Sequence, residues 1–299
     1  MKRAGFLLLA VVPVLVTTAV YCALPEHPAR ADAGTSVPAS RQATGRSGAT
    51  AERGTDDRRA AAVPAGLAAP GKKELAQQLV ASAENSTLDW REAYAYVEDI
   101  GDGQGYTAGV IGFCTGTHDL LTLVESYTRK HPDNGLARYL PALRRVDGSD
   151  SHEGLDPGFP AAWRHEATVP AFRAAQDAER DRVYFDPAVR QARRDGLGTL
   201  GQFIYYDAMV MHGPGTGDYG FYGLRDRALR EADPPSRGGD EKAYLETFLD
   251  VRRAAMRSRD AHRDTTRIDT AQRVFLREGN LGLDTPLVWK VYGETYRVP

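Results

Sequence analysis

The chain has 299 residues, 42% of them hydrophobic, and a formal net charge of −2. That length supplies one large domain or two small ones, with a sizeable core. A charge so close to neutral argues against a protein held on nucleic acid by phosphate contacts.

Taken in chain order, Lys2 and Arg3 precede an uncharged apolar run from Ala4 to Leu24, followed by Pro25 and the small-residue pattern Ala29-Arg30-Ala31. This pattern predicts a secretory signal peptide over residues 1–31 and a secreted, extracellular mature protein, with no stable membrane association after cleavage. The run is longer than a usual signal core, so an uncleaved membrane anchor stays open as the alternative. A lipoprotein site at Cys22 is set aside because Tyr21 is too bulky for the position before it.

Residues 32–71 are rich in Ala, Gly, Ser, Thr, Pro and Arg and nearly free of large apolar side chains. Such a stretch cannot bury enough surface to offset its ordering entropy, so it reads as a disordered spacer or pro-segment. The catalytic domain is expected over 72–299, as a monomer. Of the 38 Lys/Arg and 40 Asp/Glu, residues 1–71 hold 8 and 5, which leaves 30 and 35 and a net charge of about −5 on the folded part. An acidic surface suits a cationic ligand. Only Cys114 remains once the signal is gone, so no internal disulfide is available. Its apolar neighbours favour a packed structural thiol over a catalytic one.

The pattern is mainly α-helical with one small β element and no internal repeat. A helix is predicted over 72–85, with Leu75, Leu79, Val80 and Ala83 on one side. A short strand around Tyr94–Val97 leads into the Gly-rich turn Gly101-Asp102-Gly103-Gln104-Gly105, and a second strand returns over 106–115. Further helices are predicted at 118–131, 161–167 and 171–182. One more runs from Pro187 to about Met211 and stops at His212-Gly213-Pro214-Gly215, and the last two cover 240–259 and 264–278.

Helical periodicity places charges on faces that should be apolar. Glu84 follows Val80 by one turn, and Asp207 continues the stripe Leu200, Phe203, Ile204. Arg252 falls between Phe248/Leu249 and Ala255/Met256, and Arg267 shares a face with Ala271 and Val274. Isolated buried charges cost several kcal/mol each, so these four are expected to pair, with guanidinium forks bridging carboxylates. Glu84 is the candidate catalytic acid at the end of that network. Asp102, in a wet turn 18 residues later, is its candidate partner if the chemistry is glycoside hydrolysis, which needs two carboxyls flanking the scissile bond; a plain Asp-Gly turn is the alternative reading.

Other chemistry is poorly represented. Asp99-Ile100-Gly101-Asp102 lacks the ligand spacing of a calcium loop, no His pair has zinc spacing, and there is no nucleophile elbow or phosphate loop. No metal and no cofactor are expected. Asp177, Glu179 and Asp181 alternate with Arg180 and Arg182, which suits a solvated helix face.

The stretch Ala83-Glu84-Asn85-Ser86-Thr87-Leu88-Asp89-Trp90, followed by Tyr96-Val97-Glu98-Asp99-Ile100-Gly101-Asp102-Gly103, resembles the signature of the family 46 chitosanases. Tyr106 to Cys114, Glu179 to Pro187, and Gly201-Gln202-Phe203 through Met211-His212-Gly213-Pro214-Gly215 continue the resemblance, which covers residues 72–299. It implies a lysozyme-like α+β fold, mainly α, with two lobes, a small antiparallel sheet and a substrate cleft between the lobes. It also implies endo-hydrolysis of β-1,4 links between glucosamine units of chitosan, with inversion. By the same resemblance Glu84 is the acid, Asp102 the base, and Thr107 helps to hold the attacking water. Asp119 is implied to grip a glucosamine amine, Tyr96 and His212 to line the cleft, and Asp207, Arg252 and Arg267 to form the charge network behind Glu84. Three positions depart from the family pattern: Gln104 stands where an arginine is expected, and Arg259 and Arg263 where acids are expected. A lysozyme-like hydrolase of another glycan and a non-catalytic polysaccharide-binding protein are the alternative functions.

Overall fold

The structure, a computed structural model, describes residues 66–299. The predicted signal peptide and most of the predicted spacer lie outside the described residues. Residues 66–71, the end of that predicted spacer, are among those described. Leu67 is fully buried and its backbone N–H donates to Gln202 Oε1 at 3.0 Å, so one large apolar residue is enough to fix the end of the supposed spacer. Helix α1 (Pro70–Glu84) then starts on a proline, which forfeits no helical hydrogen bond in the first turn.

Two hydrophobic cores organise the molecule. The first surrounds α7 (Thr199–His212), every residue of which is buried except Thr199. A helix apolar all round belongs at the centre of a core. Packed about it are one face of α1, α6 (Asp186–Arg194), α8 (Phe221–Glu231), α9 (Glu241–Arg259) and α10 (Arg273–Arg277), with a C-terminal hairpin of β4 (Leu287–Val291) and β5 (Glu294–Val298). Asp240 caps α9 by accepting from the Ala243 N–H at 2.9 Å.

The second core lies under a three-stranded antiparallel sheet of β1 (Val97–Asp99), β2 (Tyr106–Ala108) and β3 (Phe113–Cys114). Helices α2 (Asp119–Lys130), α3 (Leu140–Val146), α4 (Phe159–Glu166) and α5 (Pro170–Arg180) complete it. The predicted return strand over 106–115 is two strands. Gly109 (φ +79°) and Gly112 (φ +73°) reverse the chain between them. The predicted helix from Pro187 to Met211 is likewise two helices, broken where Gly196 takes φ +79°. Residues 90–95 form a 3₁₀ turn rather than the start of a strand.

The cores meet at a polar joint where the sequence suggests a solvated face. Arg180 is 3% exposed, pairs with Asp177 at 2.8 Å and Asp181 at 2.9 Å, and lies 5.5 Å from the centre of the Trp90 ring. Tyr94 Oη donates to Asp177, and Lys73 on α1 pairs with Asp181. Trp90 and Tyr94, some 90 residues earlier in the chain, cover the arginine, and no local pattern reveals such a cover. Among the described residues no helix is long and apolar enough to cross a membrane.

Candidate active site

The last turn of α1 points its final residue at the heart of the first core. Leu79, Val80 and Ala83 pack inward, and the helix ends at Glu84 because Ser86 turns away at φ +52°. Opposite stands Arg267, the first residue of a π turn (Arg267–Gln272) that leads into α10. Arg267 Nη1 lies 2.7 Å from Glu84 Oε1, and its Nη2 donates to Asp207 Oδ1 at 2.7 Å. One planar guanidinium therefore bridges two carboxylates.

Asp207 is held from its other side as well. Its Oδ2 accepts from Arg252 Nη2 at 2.9 Å and from Gln272 Nε2 at 2.6 Å, and Gln272 Oε1 in turn accepts from Arg252 Nη1 at 3.0 Å. Burial raises the Asp207 pKa, but Arg267, Arg252 and the Gln272 amide outweigh it and hold the carboxyl at about 2. Asp207, Arg252 and Arg267 are all buried, while the Glu84 side chain keeps 16% of its surface exposed. Glu84 is thus the one member of the network that reaches outward.

Asp102 lies in the half of the fold built on the second core, half-buried. It sits in the loop between β1 and β2, closed at its mouth by the pair Asp99 and Tyr106. Gln104 holds both of its oxygens: the backbone N–H donates to Oδ1 at 3.0 Å and Nε2 lies 3.2 Å from Oδ2. The departure from arginine at 104 therefore leaves the aspartate with a neutral partner. A side chain at Gly105 would put its Cβ 2.3 Å from Thr115 Oγ1, so glycine is required where the loop closes.

Thr107 follows on β2, half-buried, with Oγ1 3.3 Å from Cys114 Sγ on β3. Burial, with the charge of Asp119, pushes the Cys114 thiol up to about 12, which leaves it a packed side chain and no nucleophile. Asp119 opens α2. Its Oδ1 accepts from the Cys114 N–H at 2.8 Å, from Thr117 Oγ1 at 2.7 Å and from its neighbour Leu120 N–H at 2.9 Å. Burial nevertheless raises the Asp119 carboxyl to about 6. Tyr96 is half-buried beside Glu98, its hydroxyl 3.4 Å from Oε2.

His212 is placed differently from its expected position on a cleft wall. The ring is 2% exposed, and Arg252 Nε lies 3.4 Å from its Nε2. Burial, then Arg252 and Arg267, hold its pKa well below the usual histidine range. It is a neutral acceptor inside the arginine network. Tyr219 packs edge-on against it at 4.5 Å, and Arg259, the second departure, stacks on Tyr219 at 3.8 Å.

One partner of the network and one anchor of α1 escaped the sequence reading. Gln272 lies five residues after Arg267, a spacing that an α-helical wheel puts on another face and the wide π turn brings alongside. Trp289 Nε1 on β4 donates to Ser82 Oγ at 2.9 Å and pins the last turns of α1. Among the described residues no group of three or more His, Cys, Asp or Glu side chains is placed to hold a metal ion.

The geometry thus offers one carboxyl anchored by arginine on the first core and another set in a polar loop on the second. Comparison with known proteins bears on the family rather than on these residues. The family described as glycosyl hydrolase family 46 matches residues 78–287. A Streptomyces sp. chitosanase is 55% identical over 262 residues, covering 88% of this chain and 93% of the relative. The co-crystal structure of chitosanase OU01 with substrate superposes with a TM-score of 0.76 at 56% identity, covering 79% of this chain and 99% of the other. A Gynuella sunshinyii chitosanase in complex with chitotetraose gives 0.70 at 32% identity, covering 76% and 97%. The match spans both cores and the loops that carry both carboxyls, and the chain therefore belongs to glycosyl hydrolase family 46, a glycoside hydrolase of lysozyme-like fold.

Proposed function

We propose that this chain is a secreted, endo-acting chitosanase that cleaves β-1,4 links between glucosamine units with inversion of the anomeric centre. The observation that carries the reading is a pair of fixed carboxyls on different elements, Glu84 at the end of α1 held by Arg267 and Asp102 in the β1–β2 loop held by Gln104. An inverting hydrolase needs an acid on one side of the scissile bond and a base on the other, with room for water between. Glu84 donates its proton to the leaving glycosidic oxygen as that bond breaks. Asp102 takes a proton from the water that attacks the anomeric carbon from the opposite face, with Thr107 holding that water. Asp119 grips a glucosamine amine and Tyr96 lines the cleft. Similarity to chitosanases solved with substrate and with chitotetraose supports the substrate class. Secretion with cleavage near Ala31 belongs to the same proposal and rests on the N-terminal sequence pattern.

The test is direct. Glu84→Gln and Asp102→Asn should each lower kcat on chitosan by at least about a thousandfold while the circular dichroism spectrum stays unchanged. A variant that keeps a tenth of the activity removes that residue from its role. Proton NMR of the fresh product should show the α-anomer, and a β-anomer would establish retention instead. Faster turnover on bacterial cell walls than on chitosan would favour the rival glycan.

A further inference from the structure

The loop that carries Asp102 is clamped from outside by a group that the mechanism does not use. His152, in the segment between α3 and α4, stacks flat on Tyr106, with ring centres 4.1 Å apart and 10° between the planes. Its Nε2 lies 3.2 Å from Asp99 Oδ2 and its Nδ1 3.4 Å from Asp156 Oδ2. Tyr106 Oη donates to the other oxygen of Asp156 in a short hydrogen bond. The remaining oxygen of Asp99 accepts from the Gly101 N–H at 2.8 Å, the first turn of the Asp102 loop.

Asp99 and Tyr106 are the pair across which β1 and β2 close that loop. Both therefore touch the same imidazole ring from the two strands at the loop's mouth. On the far side, Gln104 O accepts from Thr115 Oγ1 at 3.2 Å and from Gly116 N–H at 2.9 Å. The loop is held at both flanks, and only the His152 flank carries charge. Ring and carboxylates lie outside the hydrogen-bonding shell of Asp102, whose own oxygens are held by Gln104.

We propose that His152 is a positioning residue for the catalytic base: seated between Asp99 and Asp156 and stacked on Tyr106, it fixes the loop that aims Asp102. The inference rests on the reading of Asp102 as that base. A misplacement of about 1 Å in a reacting group costs up to roughly a hundredfold in rate, so loosening the mouth of this loop acts on turnover. Substrate grip, assigned to Asp119 on another element, is spared.

The experiment measures kcat and KM separately on chitosan oligomers for His152→Ala, Asp156→Asn and the double variant, with Asp102→Asn as control. Asp156→Asn keeps an acceptor for Tyr106 and removes one charge, so it folds even if His152→Ala does not. His152→Ala should lose roughly 10–100-fold in kcat with KM within about twofold. Asp156→Asn should lose less in the same direction, and the double variant should lose less than the product of the two. The His152 side chain is 23% exposed, so millimolar imidazole should restore part of the His152→Ala rate. A purely structural histidine predicts a lower melting temperature with unaltered kcat in the folded fraction and no imidazole effect. That result, or a loss confined to KM, overturns the proposal. Full activity in Asp102→Asn would instead overturn the base assignment itself, and the inference would fall with it.

Discussion

At Asp207 two guanidinium groups and one amide share two carboxylate oxygens, and Arg267 spends its remaining fork on Glu84. Buried ion pairs stabilise little over an apolar alternative, but breaking one is costly because the partner is left charged and dry. Arg267→Ala should therefore cost about 3–5 kcal/mol, roughly a 10 °C fall in melting temperature for a domain of this size. It should also lower kcat, since Glu84 loses the ion pair that orients it. An unchanged melting temperature would contradict the burial of Arg267. The same network governs behaviour in acid. Asp207 titrates near 2 in the folded protein, below its unfolded value of about 3.9. A carboxyl with a depressed pKa contributes stability in full above the unfolded value and loses it as pH falls through the folded one. His212 adds to the loss at milder pH, because the unfolded chain takes up a proton below about 6.5 that the buried, neutral ring refuses.

Among the elements, the helices disclose themselves by period and the irregular joints do not. Glu84, Asp207, Arg252 and Arg267 could be aligned from the sequence because each continues an apolar stripe at helical spacing. Gln272 could not, since the π turn abandons that spacing just where it delivers the amide to Asp207. Helix α3 is under two turns long, too short for a periodic signal, and strands β4 and β5 are five residues each. The split between β2 and β3 rests on backbone conformation and packing. At Gly109, φ is +79°, and an added Cβ would lie 2.5 Å from Gln176 Oε1 and 3.0 Å from both Phe113 and Trp163. Gly109→Ala should thus cost about 2–4 kcal/mol, from strain at positive φ together with overpacking, and chemical denaturation should show it as a lower midpoint. A neutral outcome would mean that the turn has room to relax. His152 and Asp156 went unread for a related reason: they meet Asp99 and Tyr106 only through the fold, about 50 residues away in the sequence.

For the molecule as a whole, the excess of about five negative charges on the folded part would, on the proposed function, meet a polymer whose deacetylated sugars carry ammonium groups once protonated. Charge alone does not place that attraction, and the proposed function assigns Asp119 as one specific point for it. Asp119 has its carboxyl raised to about 6 by burial, against three hydrogen bonds that favour the anion. Its Oδ1 is occupied by protein donors, and on the proposed function its charge is what an amine meets. Asp119→Asn removes that charge and should raise KM on chitosan oligomers at a fixed pH. The diffuse part of the attraction is screened over about 8–10 Å at moderate ionic strength. Added salt should therefore raise KM more than it lowers kcat, because remote binding weakens before the chemistry does. Fully acetylated chitin oligomers, which lack the charge, should be poor substrates at any salt concentration. Initial rates on chitosan and chitin oligomers across a salt series check these last two expectations, and equal rates on both substrates with no salt effect would replace the chitosanase reading with a hydrolase of neutral glycans.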